Sequence, residues 1–235
     1  MEYSVVRHEP CYFDGLLVHR CILLGQPLQF QFSTLNSCML LKTKIAVTSV
    51  SNLHDARYCA GMGVNWVSFP IVGEQAVSPS DFEEIVGWIT GPELLAEVIG
   101  NSEADLSSYQ FDGLFTDQMA LFERFSSDVP CFFQIDIDAK NSDEVEALLA
   151  QVHANAKAIL LKSEKALADQ SADWLSALCQ KYSIILSFAF SPEEADKALK
   201  LSPLGLGLTG SEEQKVGLND FEGLADVLEA LELED

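Results

Sequence analysis

From residue 42 onward the spacing of apolar positions changes in a regular way. Short runs rich in β-branched and large apolar side chains alternate with polar segments in which apolar residues recur three and four apart. The short runs predict strands at 43–49, 64–70, 94–99, 111–115, 130–136, 157–162, 183–189 and 203–208. Each is followed by helix-like sequence. Eight such units predict an α/β fold closed as a (β/α)8 TIM barrel in a single domain, rather than an open sheet.

The helix starts carry their own signals. Ser80-Asp81-Phe82-Glu83 reads as a capping box, and Ser191-Pro192-Glu193-Glu194 as another with proline at the first helical position. Asn141 before Asp143-Glu144, and Asn219 before Asp220-Phe221-Glu222, repeat the logic. The last helix is expected to bury Phe221, Leu224, Leu228 and Leu231. Residues 101–109 make a poor third helix, and 164–170 reads as loop before the sixth helix resumes near Ser171.

The chain has 235 residues, 48% of them hydrophobic, enough for one large core and too rich for disorder. No apolar run approaches the roughly 20 residues of a membrane helix. A net charge of −22 disfavours nucleic acid and anionic membranes as partners. The cysteines Cys11, Cys21, Cys38, Cys59, Cys131 and Cys179 include no Cys-x-x-Cys pair. They read as buried free thiols of a cytoplasmic protein. Trp66, Trp88 and Trp174 read as core or helix–barrel packing.

Residues 1–38 stand apart. They hold Arg7 and Arg20 against Glu2, Glu9 and Asp14, so nearly all the acidity lies later in the chain. They lack helix caps and clear periodicity, and no secretory signal is legible. Two expectations follow: that Met39 is the natural start and 1–38 an upstream translation, or that the segment is a strand or plug at the bottom of the barrel.

The stretch 44–69 resembles the opening unit of phosphoribosylanthranilate isomerase. Asn52-Leu53-His54-Asp55-Ala56 resembles that family's first helix start, Gly61-Met62-Gly63-Val64-Asn65 the entry to its second strand, and Ser68-Phe69 the Gly-Phe that ends it. Ser78-Pro79 resembles its Ser-Pro-Arg, Thr209-Gly210-Ser211-Glu212 its Ser-Gly-Val-Glu, and Gly217-Leu218-Asn219-Asp220 its Gly-x-Lys-Asp. The resemblance covers the chain from Met39 to the C-terminus. It implies a cytoplasmic tryptophan-biosynthesis barrel, monomeric or homodimeric and without a cofactor. Its ligand would be a small, phosphorylated sugar derivative rearranged from aldose to ketose.

The departures fall on the chemistry. The family ends strand one in Lys-Ile-Cys-Gly with a general-base cysteine, where this chain has Lys44-Ile45-Ala46-Val47. It ends strand six with a general-acid aspartate, where this chain has Lys162. Its glycine pair after strand seven, which lets backbone amides approach the phosphate, is here Phe188-Ala189. The resemblance therefore implies an isomerase-like barrel that is inactive or repurposed. Two alternatives stay open: an isomerase still active through substitute groups, and a lyase or aldolase forming a Schiff base on Lys162.

Active sites of such barrels lie at the C-terminal strand ends. The polar residues expected there are Thr48, Asp117, Gln134, Asp136, Asp138, Lys162 and Glu212. Lys162, Asp136 and Asp117 are the candidates for proton transfer. Thr48, Gly210, Ser211 and Ala189 are the candidates for holding phosphate or substrate. Lys162 also reads simply as paired with Asp136 or Glu164, or as solvated at the rim. Asp136 and Asp138 lack a third ligand in sequence, so no metal is expected. Gly205 and Gly207 read as close-packing glycines of the last strand.

Overall fold

The computed structural model describes residues 10–13, 16–19, 40–100, 104–210, 213–215, 218–219 and 222–233. The chain divides into a unit Met1–Ser37 and a unit Cys38–Asp235. In the first, Pro10–Phe13 and Leu16–His19 pair as an antiparallel hairpin with Phe13 opposite Leu16. The other expectations for 1–38 concern residues outside those described.

The second unit is a closed barrel of eight parallel strands. They are β1 Lys44–Thr48, β2 Trp66–Pro70, β3 Glu93–Val98, β4 Gly113–Thr116, β5 Cys131–Asp136, β6 Ala156–Lys162, β7 Ile184–Ser187 and β8 Gly205–Thr209. Each lies within three residues of its expected bounds. The barrel closes where Gly205 to Thr209 run in register with Lys44 to Thr48. Around the outside lie α1 Leu53–Gly61, α2 Pro79–Val86, α3 Met119–Phe125, α4 Ser142–Val152, α5 Ala172–Lys181, α6 Pro192–Leu199 and α7 Glu222–Ala230. No helix is seen among the described residues between β3 and β4. Leu167–Asp169 form one 3-10 turn before α5.

Two cores follow from the two sides of each strand. Ala46, Trp66, Leu95, Phe115, Phe132, Ala158, Leu160 and Ile185 fill the barrel interior, with the Trp66 and Phe132 rings edge to face at 5.4 Å. The alternate residues, among them Ile45, Val67, Phe133, Ile159 and Leu186, meet the helices. Gly207 belongs to the interior: a Cβ there would lie 2.8 Å from the Ser187 Cβ and 3.0 Å from Leu160 Cδ1. A Cβ on Gly205 would collide with the Lys44 carbonyl. Both glycines thus permit close packing, as their place in the last strand suggests.

The helix caps mostly follow the expected residues. Asn141 and Ser191 each form the reciprocal box, with Glu144 and Glu194. The second helix corrects the reading. Its cap is Ser78, not Ser80, because Pro79 sets the first helical φ and the Ser78 hydroxyl accepts the Asp81 amide at 3.2 Å. For the last helix, Leu224, Leu228 and Leu231 are buried, whereas Asp220 and Phe221 lie outside the described residues. Trp88 is the clear misfit to the packing expectation. It is 65% exposed, with the Arg57 guanidinium 6.0 Å from the centre of its ring.

A Ser191→Ala chain is expected to lose about 1 kcal/mol of stability, since it leaves the Glu194 amide without its cap. Equilibrium denaturation checks this, and an unchanged midpoint would contradict it.

Candidate functional site at the barrel mouth

The interior apolar layer fixes what reaches the mouth. Two residues on from each interior side chain, the same face of the strand presents Thr48 after Ala46, Ser68 after Trp66, Glu97 after Leu95, Gln134 after Phe132, Lys162 after Leu160 and Ser187 after Ile185. The mouth is therefore polar because strand periodicity carries these six residues past the packed layer.

Ala46 does not reach it. It is 5% exposed and packed within the interior layer. Thr48 occupies the inward position at the end of β1, and its hydroxyl donates to the Leu208 carbonyl at 3.3 Å. On the opposite wall, Lys162 lies in register between Asp136 and Ser187. Its nearest ion pair is with the exposed Glu164, at 3.9 Å. The expected alternative, pairing with Asp136, is not seen.

The three expected aspartates each serve the backbone. Asp117 accepts the Gly100 amide at 2.9 Å, and Asp136 the Asp138 amide at 2.9 Å. Asp138 accepts the Glu164 amide and the Ser163 hydroxyl, both at 2.9 Å. The Glu164 amide, with help from Ser163 and Lys165, holds the Asp138 carboxyl below its ordinary range. No group of histidine, cysteine or acidic residues suited to a metal occurs among the described residues.

The group that sequence reasoning missed is Glu97. It sits at the end of β3, only 6% exposed. Its Oε2 accepts the Ser49 amide at 2.7 Å and the Ser68 hydroxyl, while Oε1 accepts the Ser49 hydroxyl at 2.8 Å. Ser49 reaches it from a left-handed backbone conformation, φ 58°. Burial raises the Glu97 pKa above the usual carboxylate range. The Ser68 and Ser49 hydrogen bonds and the Lys162 charge oppose that rise without cancelling it. The available signal was a lone acid in the apolar run 94–99, two residues after the interior Leu95.

In the loops expected to hold phosphate, three amides are already bonded. The Gly210 amide donates to the Thr48 carbonyl at 2.7 Å, and the glycine packs against Ser49 and Asp55. After β7, Phe188 is buried with its ring 5.8 Å from Phe190, and Ala189 is exposed. The Phe190 amide donates to the Phe188 carbonyl at 2.8 Å, and the Ser191 amide to the Glu194 carboxylate at 3.2 Å. Ser211 and Glu212 lie outside the described residues.

Three of the cysteines are poorly suited to chemistry. Cys59, Cys131 and Cys179 are free and buried. Desolvation pushes their thiols up to about 12, about 11 and about 11, away from the reactive thiolate.

Fold and site together define an α/β barrel with a polar mouth over an apolar interior. Among solved structures it is similar to phosphoribosylanthranilate isomerase. The Thermotoga maritima enzyme, described as monomers generated from a dimeric form, matches with a TM-score of 0.64 at 16% identity, over 80% of this chain and 98% of that one. A complex of the isomerase with reduced 1-(o-carboxyphenylamino)-1-deoxyribulose 5-phosphate matches at 0.64 and 15%, with the same coverage. The Thermus thermophilus enzyme matches at 0.63 and 16%, again over 80% and 98%. At these identities the likeness establishes the fold. No protein-family model and no curated protein sequence matches the chain.

Proposed function

We propose that this chain is a divergent relative of the phosphoribosylanthranilate isomerases, one that has lost the ancestral proton shuttle and uses its barrel mouth for another small polar ligand. One observation carries the reading. The inward positions of β1 are Ala46, sealed in the interior layer, and Thr48, while β6 ends in Lys162, so the family's cysteine and aspartate both lack a counterpart. Each lost acid–base group removes on the order of 10²–10⁴ in rate. The engaged amides of Phe190, Ser191 and Gly210 support it further, because a phosphate would have to compete with bonds already formed.

We place the protein in the cytoplasm as a monomer or homodimer, acting on small molecules rather than nucleic acid or membrane. The buried free thiols and the charge of −22 support this, and no described helix is long and apolar enough to cross a membrane. The test is complementation of a tryptophan auxotroph that lacks the isomerase. No growth is expected from this chain, or from the fragment beginning at Met39. Growth at the normal rate would defeat the proposal.

A further inference from the structure

We propose that Glu97 and Lys162 form an acid–base pair that moves a proton on a small, unphosphorylated hydroxy-carbonyl compound. The proposal rests on the mouth having left the isomerase chemistry, and it supplies the substrate class.

Burial and position point to these two residues. Asp117 and Asp136 are exposed and Asp138 is half-buried. Glu97 is a buried carboxylate at the mouth, and two serine side chains are aimed at it. Ser49 adopts a left-handed backbone to bring both its amide and its hydroxyl to that carboxylate. Such a conformation costs on the order of 1–3 kcal/mol in a non-glycine residue and concentrates at functional sites. A carboxylate offers about four acceptor positions. Three are filled here, which leaves one on Oε1. The raised Glu97 pKa moves the group toward the range where a carboxyl can both take and return a proton.

Lys162 supplies the complementary charge. It stands at the end of β6, two residues past the interior Leu160 as Glu97 stands two past the interior Leu95, and its side chain is 42% exposed, open to a ligand. Ser49 beyond β1 and Ser68 on β2 bond Glu97, and the Lys162 charge opposes the rise in its pKa. Thr48, Gln134 and Ser187 add hydroxyl and amide groups suited to a polyol. The Phe190, Ser191 and Gly210 amides are already bonded, which favours a ligand without phosphate.

The step balances without a metal or redox partner. The ligand's carbonyl oxygen lies at the Lys162 ammonium. Glu97 takes a proton from the neighbouring carbon, the C–H electron pair becomes the C=C bond of an enolate, and the carbonyl π pair moves to oxygen beside the ammonium. Return of the proton to the same carbon gives exchange. Its return to the former carbonyl carbon, with the hydroxyl proton moving to the first oxygen, gives isomerisation.

The test uses the full chain in D2O near neutral pH with dihydroxyacetone, following loss of the C–H signal by proton NMR. Wild type is expected to exchange well above the uncatalysed rate. Glu97→Gln should lower the enzymatic rate on the order of 10²–10⁴-fold, and Lys162→Met should lower it too. Lys162→Arg keeps the charge but cannot form an imine, and should retain part of the activity. Thermal melts establish that each variant is folded, and if Glu97→Gln does not fold, Lys162→Met against Lys162→Arg carries the test. Background exchange by wild type overturns the pair, as does wild-type exchange in Glu97→Gln or complete loss in a folded Lys162→Arg chain. A parallel assay with phosphoribosylanthranilate separates the two proposals. Turnover there defeats the lost-shuttle reading, whereas no turnover and no exchange defeats the pair alone.

Discussion

Replacing Phe132 by alanine is expected to lower the unfolding free energy by about 3–5 kcal/mol, the range for truncating a fully buried aromatic ring. Phe132 is 1% exposed and packs its ring edge to face on Trp66 inside the barrel, 5.4 Å between centroids. Strands fix the interior from all sides and cannot collapse inward without breaking their register, so the cavity stays largely unfilled. The same layer supports the mouth, because Gln134 follows Phe132 on the same face of β5. Chemical denaturation should show a lower midpoint with an unchanged slope. A loss below about 1 kcal/mol would mean that the interior is not the packed layer described. Phe190, partly buried on a loop, is the comparison: its truncation should cost clearly less.

Glu97→Gln is expected to change how stability depends on pH. The wild-type carboxyl is raised above its ordinary value of 4.5 in the folded chain, chiefly by burial. The folded state therefore holds more protons than the unfolded state between the two values, and stability contributed by Glu97 falls as pH rises through that window. The contribution is fully present below the unfolded value and is lost above the folded one. Each unit of upward shift corresponds to about 1.4 kcal/mol. Glutamine does not titrate, so the stability difference between variant and wild type should move in favour of the variant as pH rises from about 4.5. Lys162→Met removes a charge that opposes the shift, and should carry the window to higher pH. Denaturation series at several pH values check this. Parallel wild-type and Glu97→Gln curves would show that Glu97 does not titrate as described.

Much of the barrel was legible because its signals are local. Proline and serine at 191–192, the apolar runs, and the three- and four-residue spacing of helix contacts each act within a few residues of themselves. Where local signals competed, the reading slipped. Ser78 and Ser80 both precede an acidic residue at the spacing of a cap, and the choice fell to Ser78 through Pro79. Trp88 looked like packing because its residue type is usually buried, yet it lies just beyond the end of α2 and stays exposed. The site was harder to read. Asp117, Asp136 and Asp138 were picked for their place at strand ends, but backbone amides of their own and neighbouring loops use them as acceptors. Ala46 was matched by its motif, although two further residues extend β1 to Thr48.

The amino-acid sequence by itself determined the eight strands and most of the helices between them, the acidity of −22 and the departures from the isomerase motifs at Ala46 and Lys162. These depend on residue type and short-range spacing. Only the tertiary structure decided that Ala46 is sealed below the mouth, that the Phe190, Ser191 and Gly210 amides are already bonded, and that Glu97 meets Ser49 and Ser68 at the mouth that Lys162 shares. Glu97 and these three residues come from four different segments of the chain. Barrel closure brings them together, and burial is what turns an ordinary glutamate into a carboxyl poised to hold a proton.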